Sequence, residues 1–492
     1  MVSEATSTPR AAAERPEDGA PPDLSGRAAR GAVWTIAGHG GAQLMRLGGN
    51  LVLTRLLARE HFGLMALVMV ALQGVTLLSD LGIGPSIVRS KSGDDPRFVN
   101  TAWTIQALRG LALAGITCLA AWPMAAFYDE PRLMSLLLVA ALVPAVTGFE
   151  SAKYHLQNRH LALGRIVLIE LSSQAIGLTV MIGWALRWPS AAALVAGALT
   201  RGIIFMILTH VVLSGIRSRP CWDKRAAKQL LQFGSWILLS TALTYFAGYA
   251  DRAILGKLVT MSELGVYAIA VIIATAPREA LGRINTLVVF PLYSRAVQRG
   301  EVLQGLYVRA RWPVLVVSSW ALAGIIAGGP TAIRILYDDR YWAAGHMVQF
   351  LAGGIWFGLV LEGTNGAALL AYGRPRWVAA GSAAKLVGLL IAMPLGFKWG
   401  GFLGAIVGLS LAEGCRYLVS TFAARRFGLR GILQDTRATL WLAAGSIAGL
   451  LAADAARRHG APIAVEALAV FAAVTVLWLP LLPALRNWRQ VR

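Results

Sequence analysis

Apolar blocks of about 20 residues, separated by short polar links, recur along most of this 492-residue chain. Hydrocarbon offers a bare backbone no hydrogen-bond partner, so such a block crosses a bilayer as a self-satisfied helix or as a strand of a closed barrel. The alternation of a barrel strand is absent and glycines sit inside the blocks, so the pattern predicts an all-α polytopic membrane protein. About 14 transmembrane helices are expected, centred near residues 42, 74, 111, 142, 175, 203, 245, 276, 323, 357, 387, 412, 446 and 472. Residues 1–30, rich in Ala, Pro and mixed charge, lack a hydrophobic period and are expected to be a disordered tail. Its acidic residues, and a long first apolar run without a cleavage-like end, argue against a signal peptide.

The formal net charge of +21 would suggest nucleic acid in a soluble protein. Here the excess Lys and Arg sit in alternate links, and topology accounts for them. With the N-terminus cytoplasmic, roughly 24 basic residues fall inside and roughly 10 outside, so both termini are expected in the cytoplasm and no nucleic-acid partner is implied. No link is long enough for a large extracytoplasmic domain. The three cysteines, Cys118, Cys221 and Cys415, have no ligand spacing, and the seven histidines are scattered, so no metal site is expected. There is no GxxxxGK[ST] loop and no compact catalytic constellation, so neither a cofactor nor enzymatic activity is expected.

Displacing the sequence by 202 residues without gaps superimposes Trp34 on Trp236, Arg55 on Lys257, Gly63 on Gly265 and Arg109 on Arg311. A repeat unit with an even number of spans puts both halves in the same orientation, related by an axis along the membrane normal. The expected organisation is a cytoplasmic tail (1–30), an N-terminal six-helix bundle (31–215), a basic linker (216–232), a C-terminal six-helix bundle (233–424), a second basic linker (425–436), helices 13 and 14 (437–485) and a short tail (486–492). Substrate is expected between the bundles near the midplane, with alternating access by rocking of one against the other.

Ionisable groups inside a bilayer are costly unless they face protein or water. Asp251 and Arg252 stand near the far end of the apolar run 233–257, either as an ion pair locking helices or as part of a polar pathway. Arg252 maps by the repeat to position 50, one helical turn past Arg46 on the same face, so each half presents an arginine towards the seam. Arg109 and Arg311 form a second level. Arginine stays charged and grips phosphate or carboxylate oxygens in bidentate fashion, which suits an anionic cargo. The alternative is that each pairs with a nearby acid; Arg416 with Glu413, three residues apart, is expected to form such a local pair. In the eighth block, Pro277 and Pro291 flank Arg278, Glu279, Arg283 and Asn285. The prolines mark a candidate gate or kink, and Arg283 is a further candidate cargo cation. The spacings Gly400, Gly404, Gly408 and Gly354, Gly358 indicate close helix packing.

The stretches RGAVWTIAGHGGAQLMRLGGNLVLTRLLAREHFGLMAL, LLSDLGIGPSIV, YADRAILGKLVTMSELGVYAIA and VVFPLYSR resemble the polysaccharide transporter family of oligosaccharide flippases. That family lies within the multidrug/oligosaccharidyl-lipid/polysaccharide exporter superfamily. The resemblance implies a polyprenyl-pyrophosphate-linked oligosaccharide as cargo, moved across the bacterial inner membrane for polymerisation into exopolysaccharide, capsule or O-antigen. It also implies membrane lipids, a polysaccharide polymerase and a chain-length regulator as partners. Coupling to a proton or sodium gradient would need a membrane acid, for which Asp80, Glu170, Asp251 and Glu362 are candidates. A cation-coupled multidrug exporter of the same superfamily is the main alternative, although its cavity should carry excess acid. A glycan polymerase or ligase would require a sizeable periplasmic loop.

Overall fold

The computed structural model describes residues 24–79, 82–90, 92–159, 163–285 and 289–481, and among these the structure is all-helical. The first half comprises α1 (Leu24–Leu56), α2 (Arg59–Leu77), α3 (Ile83–Arg89), α4 (Pro96–Phe127), α5 (Pro131–Ala140), α6 (Leu142–Gly148), α7 (Lys153–Arg159), α8 (Leu163–Arg187) and α9 (Ala191–Val211). The second comprises α10 (Lys224–Leu258), α11 (Met261–Ile284), α12 (Phe290–Gln298), α13 (Leu303–Leu336), α14 (Ala344–Ile355), α15 (Glu362–Ala371) and α16 (Pro375–Arg426). Then follow α17 (Ile432–Arg458) and α18 (Ile463–Trp478). The protein is a multi-pass membrane protein: ten described helical stretches are long and apolar enough to cross a bilayer. A count of about 14 is not established by that criterion. α1 and α10 carry several charges, the apolar part of α11 runs only from Met261 to Ala276, and α16 counts once although it leaves helical geometry at Gly400 and Gly401.

Local chemistry sets the boundaries. Asp95 caps α4 by accepting from the Arg97 N–H at 2.9 Å, with Pro96 in the first turn where a missing N–H costs nothing. Asp223 accepts from the Ala226 N–H at 2.8 Å, so α10 begins inside the expected basic linker. Thr260 and Glu263 form a reciprocal capping box at the start of α11. At the break in α16, Gly401 takes φ +58°, which an L side chain resists, and the two halves of α16 fold against each other. A Cβ at Gly404 or Gly408 would strike the backbone of Gly396 or Ala392, and one at Gly354 or Gly358 would strike Ser410 or Glu413, so these glycines serve close helix packing.

The links divide into a basic end (149–152, 212–223, 299–302, 427–431) and a far end (57–58, 128–130, 259–260, 337–343). α1 ends at Leu56 and α10 at Leu258, while α2 starts at Arg59 and α11 at Met261, both separated by 202. Beyond these, the spacing grows, to 207 between the starts of α4 and α13. At the far end the contacts are reciprocal. A Cβ at Gly63 would strike the Met261 carbonyl, and one at Gly265 would strike the Arg59 carbonyl, with each pair related by the same offset. Such a swap of partners is the mark of a two-fold interface.

The apolar cores follow the same division. One large cluster joins both halves at the far end, with Leu53, Phe62 and Leu67 packed with Leu255, Leu264, Tyr267, Tyr337 and Tyr341. At the basic end there are two separate clusters: Ile87, Phe98 and Leu156 of the first half pack with Ala226, Ala227 and Leu230 of α10, while Tyr293, Tyr307 and Leu429 form another within the second half. The pair α17 and α18 packs on α13 through Trp478, Val474 and Ala323. The halves thus share a large core at the far end, whereas at the basic end the start of α10 packs on the first half, apart from the second-half cluster.

Candidate functional site

A cavity of about 580 Å³ lies between the halves, lined from α1, α2, α8 and α9 on one side and α10 and α11 on the other. Three arginines reach it, Arg46, Arg201 and Arg252, together with Gln43, Asn50, Gln73, Gln174 and Tyr249, and no acidic residue lines it among the described residues. Four methionines, Met45, Met65, Met69 and Met181, give part of the wall an adaptable apolar surface. Arg46 lies ten residues before the end of α1, and Arg201 ten residues after the start of α9. At 1.5 Å per residue both stand about 15 Å from the far end, near the middle of a roughly 30 Å hydrocarbon layer. Arg252, six residues before the end of α10, lies about 9 Å from it.

Arg252 is held from several sides. Its guanidinium lies 3.5 Å from the Asp251 carboxylate, donates to the Gly248 carbonyl at 3.2 Å and sits 5.4 Å from the Tyr249 ring centroid. Asp251 in turn accepts from the Tyr267 hydroxyl at 2.5 Å and stays out of the cavity lining. Asp251 and Arg252 therefore form an ion pair, and the arginine also faces the cavity. Arg46 donates to the Gln43 side chain on the preceding turn at 3.1 Å.

Arg109 and Arg311 share a repeat position but not an environment. Arg109 donates to the Thr76 carbonyl at 2.6 Å and the Ser79 hydroxyl at 3.2 Å, and lines a second cavity of about 330 Å³ with Gln106, Glu150 and His155. Arg311 has no exposed surface. It donates to the Thr364 hydroxyl at 2.6 Å and to the Leu361 carbonyl at 3.0 Å, and pairs with Asp435 at 2.7 Å. Leu361 ends a π-helical turn, Trp356–Leu361, a geometry that redirects carbonyls out of the ordinary ladder. Asp435, in the first turn of α17, is a partner that sequence reading missed. Its signal is a lone acid in an Arg-rich stretch.

Glu170 accepts from the Tyr154 hydroxyl at 3.2 Å. The expected Arg416–Glu413 pair along one helix does not form. Arg416 pairs with Glu362 at 3.0 Å and Glu413 with Lys385 at 2.6 Å, because the fold of α16 and the approach of α15 bring stronger partners across than along the helix. Asp80 lies outside the described residues, as do the side chains of Pro277 and Arg283, whose backbone belongs to α11. Pro291 occupies the first turn of α12. Arg201 is the cavity cation that the repeat could not find, since Leu403 stands at its counterpart position.

Residues 52–345 match the sequence profile described as polysaccharide biosynthesis protein. The chain belongs to the polysaccharide biosynthesis protein family. Among curated members similar to it is the lipopolysaccharide biosynthesis protein WzxC of Escherichia coli (strain K12), 22% identical over 402 residues, covering 80% of this chain and 79% of the relative. Another is the teichuronic acid biosynthesis protein TuaB of Bacillus subtilis (strain 168), 20% identical over 311 residues, covering 61% and 62%. In three dimensions this family member resembles the lipid II flippase MurJ in its inward closed conformation, with TM-score 0.68, 11% identity, and coverage of 94% of this chain and 100% of that one. At that identity the likeness establishes a shared fold.

Proposed function

We propose that this protein moves a polyprenyl-pyrophosphate-linked oligosaccharide from the cytoplasmic to the periplasmic face of the bacterial inner membrane by alternating access. The carrying observation is the cavity between the halves, where Arg46, Arg201 and Arg252 converge without a lining acid among the described residues. Guanidinium groups bind pyrophosphate oxygens with charge-assisted, bidentate geometry, and the Gln, Asn and Tyr side chains around them suit sugar hydroxyls. A cavity for a cationic drug would carry the opposite charge. The relatives' names point to glycan synthesis, and the apolar walls between bundles suit a lipid-borne cargo. The chain carries its cargo and does not catalyse a reaction.

The cytoplasmic face is taken to be the basic end, with both termini there, following the charge bias of the links. The large shared core at the far end, against two distinct clusters at the basic end, then supports a cavity shut towards the periplasm. Rocking the halves about the Gly63–Gly265 seam would reverse that. A proton or sodium gradient drives the cycle, and a polymerase with its chain-length regulator consumes the exported unit.

The test is polymer export at matched expression. Loss of a charge-assisted hydrogen bond weakens cargo binding by roughly tenfold or more, so Arg46→Ala and Arg252→Ala should each lower export while inserting normally. Wild-type polymer in both variants would remove the arginines from the cargo path. A reporter fused after Arg492 should be active in the cytoplasm; periplasmic activity overturns the orientation.

A further inference from the structure

Two side-chain amides in the lining of the central cavity are fixed in opposite roles. Gln43, on α1, accepts from both Nε and Nη2 of Arg46, the first at 3.1 Å. A guanidinium can only donate, so the Gln43 oxygen is committed to it and the amide N–H groups are what Gln43 has left to offer. Gln174, on α8, donates from its amide nitrogen to the Ala42 carbonyl at 2.8 Å. A carbonyl can only accept, so this orientation is forced as well, and Gln174 offers its oxygen. Neither the Gln43 nitrogen nor the Gln174 oxygen has a hydrogen-bond partner among the described residues. The two amides are also neighbours. In an α-helix the Ala42 carbonyl faces the Arg46 N–H, so Gln174 is anchored in the turn that runs from Gln43 to Arg46. A Cβ at Gly41 would meet Leu171 at 3.5 Å and one at Gly49 would strike Leu178, so α1 and α8 lie close on both sides of that anchor. Leu178, one turn past Gln174 on the same face of α8, lines the cavity as an apolar surface beside the amides.

We propose that Gln43 and Gln174 read a 2-acetamido group on the sugar that bears the pyrophosphate, which makes the first sugar of the cargo a 2-acetamido-2-deoxy sugar. The acetamido N–H donates to the Gln174 oxygen, its carbonyl accepts from the Gln43 nitrogen, and its methyl group packs against Leu178. An amide ligand carries one fixed donor and one fixed acceptor, which is the complement of what the two glutamines have left over. The acetamido group stands on the ring carbon next to the one that carries the phosphate. Arg46 follows Gln43 by three residues, about 4.5 Å along the helix, so a single turn of α1 holds the phosphate and its neighbouring substituent together. A hydroxyl at that ring position offers one oxygen in place of two separated polar atoms and has no methyl group for Leu178. The proposal rests on the lipid-pyrophosphate reading of the cargo.

The test is binding to the full-length protein in lipid nanodiscs. The probes are farnesyl pyrophosphate, farnesyl-pyrophosphoryl-glucose and farnesyl-pyrophosphoryl-N-acetylglucosamine, and the two sugar probes differ only in the substituent next to the phosphate-bearing carbon. Wild-type protein should bind the acetamido probe about tenfold more tightly than the glucose probe, the worth of one to two net hydrogen bonds. Gln174→Met should erase most of that preference while farnesyl pyrophosphate, which reports the fold and the arginines, binds as to wild type. Gln43→Met should erase it too, read as the ratio of the two sugar probes, because loss of the Arg46 partner acts on all three probes alike. Equal binding of the sugar probes to wild type, or a preference that survives both variants, overturns the acetamido subsite and leaves the pyrophosphate reading in place. Farnesyl pyrophosphate that binds while both sugar probes are refused does the same. If none of the probes binds, the pyrophosphate reading falls and the subsite with it.

Discussion

Arg46, Arg201 and Arg252 meet in a cavity with no acid in its lining among the described residues, whereas Arg311, Lys385 and Arg416, in the second half, each face a carboxylate. Both sets lie at membrane depth, and both hold the residue type that grips phosphate. What separates them is the partner. Where α13, α15, α16 and α17 converge, Asp435, Glu362 and Glu413 complete the cations and the charges become mortar between helices. Where the two halves meet, Arg252 pairs with Asp251, and that acid stays out of the cavity lining. On the proposed reading, depth and charge alone therefore do not make a cargo site; cations facing a cavity do.

The contrast predicts opposite phenotypes, most strongly at Arg311. Arg311→Ala would leave Asp435 buried and unpaired, which costs about 3 to 5 kcal/mol, so yield and thermal midpoint in detergent should collapse. Arg46→Ala, at a cavity-lining side chain bonded to Gln43 on its own helix, should leave the thermal midpoint near wild type. If Arg311→Ala keeps its thermal midpoint and loses only export, the boundary between mortar and cargo site dissolves. Next in size is the seam. Gly265→Val drives side-chain atoms into the Arg59 carbonyl and should destabilise far-end closure by about 1 to 3 kcal/mol. Accessibility of an engineered cysteine in the central cavity to a far-side reagent should rise, and unchanged labelling would detach that glycine from closure.

Much of this architecture was legible in the sequence. Apolar block length dictated helices, and the constant offset of 202 anticipated the reciprocal glycine contact between α2 and α11. The convergence of Arg46 and Arg252 was legible too, because a shared helical face survives duplication. The same logic failed for Arg109 and Arg311, since a repeat preserves position and orientation but not neighbours supplied from elsewhere. Asp435 comes from α17, outside the repeat. Arg201 had no counterpart in the repeat to draw attention to it. The partners of Arg416 were hidden for a related reason. Pairing along a helix is readable at spacings of three and four, but pairing across helices depends on how α16 folds back at Gly400 and Gly401.

The finest division runs through the cavity's own margin, between Arg252 and the groups that hold it. Tyr267→Phe removes the hydroxyl that donates to Asp251 while leaving the ring packed in the far-end core. Asp251 would then lean more heavily on Arg252 and draw the guanidinium from the cavity, so cargo binding should weaken by about two- to fivefold, within the range of one hydrogen bond to a charged group. Maximal transport rate and thermal midpoint should change little, because the ion pair survives. The measurement is transport into proteoliposomes over a range of cargo concentration. A raised half-saturation with an intact maximum makes Tyr267 and Asp251 the positioning support of a cargo arginine. A lowered midpoint with intact half-saturation moves Arg252 to the other side of the comparison, among the paired cations that hold helices together.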